Sequence, residues 1–202
     1  MDAEIMTLGE KVTTASTGLE ALIKSLRQEI GEDGVTRRGI PPVEAWNPHY
    51  CGEAGFQILA DGTWLHEGTR ITREPLVRLF ASILRKDADG RTYLVTPAEK
   101  ILVEVADAPF LAIRADRTGA GADQSIVFTT NTGDIVTLGS AHPLRVTIDP
   151  ETREPRPYVL VRGRLEARIL RAPFYELVEW AEERDGKLGV LSQGTWFALG
   201  RA

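Results

Sequence analysis

Phe56-Gln57-Ile58-Leu59-Ala60-Asp61-Gly62-Thr63-Trp64-Leu65 is a pair of apolar runs joined at Asp61-Gly62. A tight turn needs backbone at positive φ, which Asp-Gly supplies, so Gly55 to Glu67 reads as a β-hairpin. Glu74 to Lys86 follows, with Pro75 tolerated in a first helical turn and Leu76, Leu79, Phe80, Ile83 and Leu84 along one stripe. That spacing predicts a helix packed on the hairpin.

From Arg91 onward the period changes to two. Short β-rich segments fall near 91–95, 100–105, 109–115, 125–130, 134–138, 143–148 and 157–162. Gly119-Ala120-Gly121-Ala122 and Asn131-Thr132-Gly133-Asp134 read as hairpin links, and connections this short imply antiparallel pairing. A helical segment is expected over about Leu165 to Glu183, with Leu170, Phe174, Leu177, Val178 and Ala181 on its buried face and Pro173 kinking it or starting its second part. Upstream, Thr17 and Glu20 resemble a capping box before Leu19, Leu22, Ile23, Leu26 and Ile30, which predicts an amphipathic helix from Gly18 to about Ile30. Gly31 to Gly39 reads as a linker, and Pro41-Pro42 forces an extended entry into the body. The echo between Asp61-Gly62-Thr63-Trp64 and Gln193-Gly194-Thr195-Trp196 points either to duplication or to shared hairpin chemistry.

The fold class expected is α+β, mainly antiparallel β. Residues 1–36 form a helix and linker, 37–96 a small hairpin-plus-helix lobe, and 97–202 a larger barrel-like lobe closed by a C-terminal helix. At 202 residues and 43% hydrophobic, the chain has enough apolar surface for such a body. No run approaches the roughly 20 apolar residues of a spanning helix, and the start lacks a basic leader, so a cytoplasmic protein without a membrane partner is expected. One cysteine, Cys51, excludes an internal disulfide framework. A net charge of −5 argues against general nucleic-acid binding. Yet arginines 145, 153, 156, 162, 164, 168 and 171 crowd one stretch, which leaves a local anion site open.

Seven segments in order resemble the bacterial domain-of-unknown-function family 1285. They are Pro41 to Pro48, Asp61 to Trp64, Pro75 to Val77, Tyr93 to Lys100, Phe128 to Gly133, His142 to Val146 and Pro157 to Val159. The resemblance implies a duplicated core, a C-terminal lobe similar to pleckstrin-homology folds, and a nucleotide-like ligand at the lobe interface in signal transduction.

Strand alternation places Arg145 opposite the apolar face of its strand, and Tyr158 with Arg162 likewise, so one face can present all three to an anion. Guanidinium forks bind phosphate or carboxylate bidentately and an aromatic ring stacks on a base. The competing reading is a solvated sheet face with salt bridges to Glu151, Glu154 or Glu166. Thr96-Pro97-Ala98-Glu99-Lys100 falls at the expected lobe junction, where Lys100, Glu99 and Thr96 either hold the ligand or build a structural elbow. Trp64 and Trp196 line a cleft or fill the core.

No cofactor or metal is expected. His49-x-Cys51 would need His66 or His142 to converge on it for zinc, and Asp87-Ala88-Asp89-Gly90 lacks the later ligands of a calcium loop and reads as a helix-exit turn. Ser140 near His142 has no elbow around it, so no catalytic residue is assigned; an enzyme would require His66, Glu67 and His142 to meet. The reading is a non-enzymatic sensor of a small anionic, nucleotide-like ligand, with a protein-interaction adaptor using an apolar patch on a sheet edge or the N-terminal helix as the alternative.

Overall fold

The computed structural model describes residues 40–201, so the expected helix from Gly18 to Ile30 and its linker lie outside the described residues. A 3-10 turn at Val43–Ala45 leads into β1 (His49–Ile58), β2 (Trp64–His66) and β3 (Thr69–Arg70). Helix α1 (Glu74–Ser82) connects these to β4 (Leu84–Lys86), β5 (Thr92–Val95) and β6 (Glu99–Val105). The sheet order is β3-β2-β1-β6-β5-β4, antiparallel throughout except where β1 lies parallel to β6.

The same plan then repeats. Strands β7 (Phe110–Thr118), β8 (Ser125–Thr130) and β9 (Ile135–Thr137) form one meander, and β10 (Leu144–Ile148), β11 (Pro155–Arg162) and β12 (Leu165–Ile169) another. Their order is β10-β11-β12-β7-β8-β9, with β12 parallel to β7 at the centre. Each sheet is thus two three-strand meanders joined through their first and last strands. Short links enforce antiparallel pairs within a meander, whereas the central pair is brought together by the whole connection between meanders. The repeat lies in strand order and not in the Gly-Thr-Trp echo, because Gln193-Gly194 joins two strands of a third sheet. That sheet is β13 (Glu182–Arg184), β14 (Lys187–Ser192) and β15 (Thr195–Arg201), reached through helix α2 (Arg171–Glu179).

Several expectations need correction. Residues 165–169 form strand β12 and not the start of a helix: Leu165, Ala167 and Ile169 are buried on alternate positions, a period-two pattern that an apolar stripe drawn across the whole segment conceals. Pro173 therefore sits in the first turn of α2, where a missing N–H costs nothing. Val178 is exposed rather than buried, and α2 leads into β13–β15, so no helix ends the second lobe. Helix α1 stops at Ser82, which makes Asp87 to Gly90 the β4–β5 turn instead of a helix exit. The expected lobe boundary at residue 96 falls within the first sheet, since β6 pairs with both β1 and β5.

The hairpin at the start of the first sheet is present, with Phe56 paired to His66 and Ile58 to Trp64. Its turn is longer than a two-residue one: Gly62 N–H donates to Leu59 O and Leu59 N–H to Thr63 O, and only Gly62, at φ 80°, has positive φ. Phe80 of α1 packs edge-on to Phe56 at 5.2 Å and stacks with Trp64 at 6.2 Å. Buried residues of all three sheets and both helices join in one hydrophobic cluster.

A buried hydroxyl helps fasten the third sheet to the second, beside the hydrogen bonds from Gln124 Nε2 to Leu191 O and from Gln193 N–H to Gln124 O. Ser192, fully buried, donates to Leu138 O at 2.7 Å and accepts from Ile126 N–H at 3.0 Å. Ser192→Ala leaves two buried backbone groups without partners, at about 1–3 kcal/mol each. A loss of roughly 2–4 kcal/mol in denaturant unfolding is expected; a loss below about 0.5 kcal/mol would show that neither group depends on the hydroxyl.

Candidate functional site

Between helix α1 and the second sheet lies a cavity of about 580 Å³. Helix α1 contributes Arg78, Ala81 and Ser82, while Asp134, His142 and Arg162 come from the second sheet and its loops. Ile40, Ile135 and Val161 make part of its wall apolar.

Arg162 is the anchor of this site, and its position depends on an irregularity in β11. Leu160 pairs with Glu166, but Arg162 pairs with Leu165, so the strand carries one extra residue at Val161. The bulge reverses the alternation, turning Arg162 from the Tyr158 side to the side shared by Val159, Leu165 and Ala167. Its side chain is only 16% exposed. Nη1 is bonded to the Asp134 carboxylate, Nη2 donates to Ala81 O at 2.6 Å, and the guanidinium lies 4.7 Å from the Phe110 ring centroid. Nε is buried and has no acceptor among the described residues. Burial pulls the Arg162 pKa below its ordinary value, and Asp134 opposes that shift. His142 turns Nδ1 to Leu160 O at 3.0 Å, which leaves Nε2 as its remaining polar atom.

The other expected residues do not line this cavity. Arg145 and Tyr158 do face each other across β10 and β11, with the guanidinium 4.1 Å from the ring. Arg145, however, forms a fork to Glu166 with both contacts at 2.6 Å, and that hydrogen bond raises its pKa. Tyr158 donates to Asp107 at 2.7 Å, its pKa raised first by burial and then by that carboxylate. The gathering of Arg145, Tyr158 and Arg162 around one recess is therefore not observed, because the bulge separates Arg162 from the other two.

Across the arginine run, positions 145, 156, 162, 168 and 171 each have a carboxylate partner, respectively Glu166, Asp149, Asp134, Asp107 and Glu154. Asp149, Glu154 and Glu166 from within the stretch, with Asp107 and Asp134 from outside it, neutralise what looks like a cationic run of arginines.

In the Thr96 to Lys100 segment, Thr96 to Ala98 form the β5–β6 turn and Glu99 and Lys100 begin β6. Thr96 Oγ1 accepts from Ala98 N–H at 3.2 Å and Glu99 N–H at 2.9 Å, so the hydroxyl organises backbone. Lys100 reaches Asp87 at 3.0 Å and lies 4.6 Å from the Tyr93 ring centroid. Trp64 is 1% exposed in the core, although it also borders a smaller recess. His66 packs on Phe56 at 4.7 Å and does not line the cavity with His142. Cys51 Sγ donates to His49 O at 3.4 Å, and no cluster of three or more metal-ligating side chains occurs among the described residues. Nor is any helix among them long and apolar enough to cross a membrane.

Sequence alone does not mark Arg78 or Asp134 as site residues, and it offers His142 only for catalysis or zinc. Asp134 had a local signal, the turn Asn131 to Asp134, but nothing nearby in sequence identifies Arg162 as its partner.

The link between β6 and β7 is where the two halves of the repeat meet, and it coincides with a division seen in other proteins. Residues 41–108 match the N-terminal domain of the DUF1285 domain of unknown function, and residues 109–199 match the C-terminal domain of the DUF1285 protein of unknown function. The chain belongs to the DUF1285 family. A crystal structure of a DUF1285 family protein from Silicibacter pomeroyi DSS-3 is 45% identical, with 81% of this chain and 89% of that chain covered and a TM-score of 0.78. Another, from Shewanella baltica OS155, is 28% identical over 62% of this chain and 91% of that one, with a TM-score of 0.47. No curated protein matches. Within this DUF1285 chain, Ala81 and Arg78 belong to the N-terminal domain and Asp134, His142 and Arg162 to the C-terminal one, so both domains supply walls of the cavity.

Proposed function

We propose that this protein is a non-enzymatic sensor that binds a small anionic, nucleotide-like molecule in the cavity between its two domains. The observation that carries the reading is Arg162: a mostly buried guanidinium on the cavity wall whose Nε lacks an acceptor among the described residues. An anion accepting from it would relieve an unpaired buried donor, worth about 1–3 kcal/mol. Arg78 adds positive charge, Ser82 and His142 add polar contacts, and the apolar wall suits a ring system. A ligand touching both domains would bias how they dock, which is how binding becomes a signal.

Calorimetric titration with a panel of nucleotides tests the proposal. A binder at about 100 times its Kd should stabilise the fold by roughly 2.7 kcal/mol. Arg162→Lys retains the charge but not the planar fork and should weaken binding about tenfold. No heat and no stabilisation across the panel would remove the proposal, as would unchanged affinity in a folded Arg162→Lys variant.

A further inference from the structure

A second recess, of about 420 Å³, opens where the β1–β2 turn meets the β8–β9 turn. Trp64 and Arg70 border it from the first sheet, Arg78 from α1, and Asn131 from the second sheet. Trp64 is almost fully buried, and its Nε1–H has no acceptor among the described residues. Buried indole N–H groups normally find a partner, so this donor calls for an acceptor that the polypeptide does not supply.

Asn131 is oriented to help. Its Oδ1 accepts from Leu111 N–H at 3.0 Å, while its own N–H donates to Leu111 O at 2.9 Å. That pairing commits the amide oxygen and leaves Nδ2 as a donor, with no acceptor among the described residues. Two guanidiniums complete the set. Arg70 has no carboxylate within ion-pair distance among the described residues, and Arg78 holds Glu74 only through an exposed contact of 3.4 Å. Two carboxylates, Asp61 and Glu74, also border the recess; Asp61 Oδ1 accepts from Thr63 N–H at 2.9 Å, which lowers its pKa, and Arg70 acts in the same direction, so Asp61 stays ionised and offsets part of the guanidinium charge.

We propose that this recess binds an oxyanion, phosphate or carboxylate, through Trp64 Nε1, Asn131 Nδ2, Arg70 and Arg78. The assignment deepens the ligand reading above and rests on it for the ligand's full identity, because Arg78 borders both spaces and the two sites can hold two parts of one molecule. One end lies against Arg162, and an acidic end reaches Trp64. A ligand spanning both sites carries charged or strongly accepting groups at each end.

The test is a titration of the full chain with inorganic phosphate, and separately with acetate, followed by the indole N–H resonance of Trp64 in nitrogen-resolved NMR. Loss of that resonance in Trp64→Phe assigns it. A saturable shift of Trp64 that leaves the other three indoles unmoved is expected, and the tighter of the two anions identifies the oxyanion class. Asn131→Asp keeps the acceptor for Leu111 but replaces the donor with negative charge, and should weaken the anion about tenfold or more; Arg70→Gln should do likewise. Absence of a saturable shift with either anion in the folded protein overturns the proposal, as does wild-type affinity in Asn131→Asp. Nucleotide binding that depends on Arg162 but leaves the Trp64 indole unmoved overturns it while sparing the cavity reading. A phosphate or acetate response at Trp64 without any nucleotide binding supports it and overturns the other.

Discussion

Replacing Arg85 with methionine should cost about 3 kcal/mol, because it removes the donor that ties the chain's entry to the first sheet. Arg85 is buried on β4, and its Nη1 donates to Val43 O at 2.8 Å and Trp46 O at 2.7 Å. Its Nε meets Asp87 at 2.6 Å, and Asp87 also receives Lys100 at 3.0 Å. Methionine fills similar volume, so the loss reports unsatisfied carbonyls and not a void. Asp87 would retain Lys100, which keeps the expected cost at the lower end of the range for breaking a buried pair. For a chain of this size the midpoint of thermal unfolding should fall by roughly 6–12 °C. Arg114→Ala is the control. Its pair with Asp116 at 2.6 Å is largely solvent-exposed, and such pairs contribute about 0–1 kcal/mol. Equal losses for the two variants would show that the carbonyl contacts of Arg85 carry no special weight.

Gly62→Val should destabilise by roughly 2–4 kcal/mol and loosen the contact between the two domains. A left-handed residue with a Cβ costs about 1–2 kcal/mol, and overpacking typically adds about 1–3. Gly62 stands at φ 80°, where a Cβ would lie 2.8 Å from Asn131 Nδ2 and 2.9 Å from Leu111 Cδ1. Both neighbours belong to the second sheet and its turn, so the turn of one domain is pressed against the other. Gly90 isolates the conformational part of the effect. It has φ 81° but open space around its Cβ position, so Gly90→Val should cost only the backbone share. Denaturant unfolding of both variants measures the difference. A Gly62→Val loss no greater than that of Gly90→Val would mean that the inter-domain contact yields without penalty.

The two glycines also show what local reading captures. That Asp61-Gly62 turns the chain follows from backbone sterics within a few residues, so the hairpin was legible, as were β5 to β11 to within a few residues of their observed bounds. Strand alternation in Ile126, Phe128 and Thr130 on β8 is likewise a local signal. Where local cues conflict, the reading failed. Leu165 to Ile169 alternates over five residues but runs into helical spacing, and the register that resolves it comes from pairing with β7 and β11. The candidate site was legible only in composition. Arg162 was identified, yet it was grouped with Arg145 and Tyr158 because strict alternation allows no bulge.

Chain chemistry alone determined that this protein is β-rich, that its turns fall where Gly and Asp cluster, and that one aromatic hairpin packs under one amphipathic helix. These follow from side-chain size, backbone freedom and apolar spacing over ten residues or fewer. Tertiary structure decided the repeated strand order, the partner of each arginine and the meeting of Arg78, Asp134, His142 and Arg162. A parallel central pair, a bulge and an ion pair between distant strands depend on which segments lie side by side, and that is set by burying one shared core.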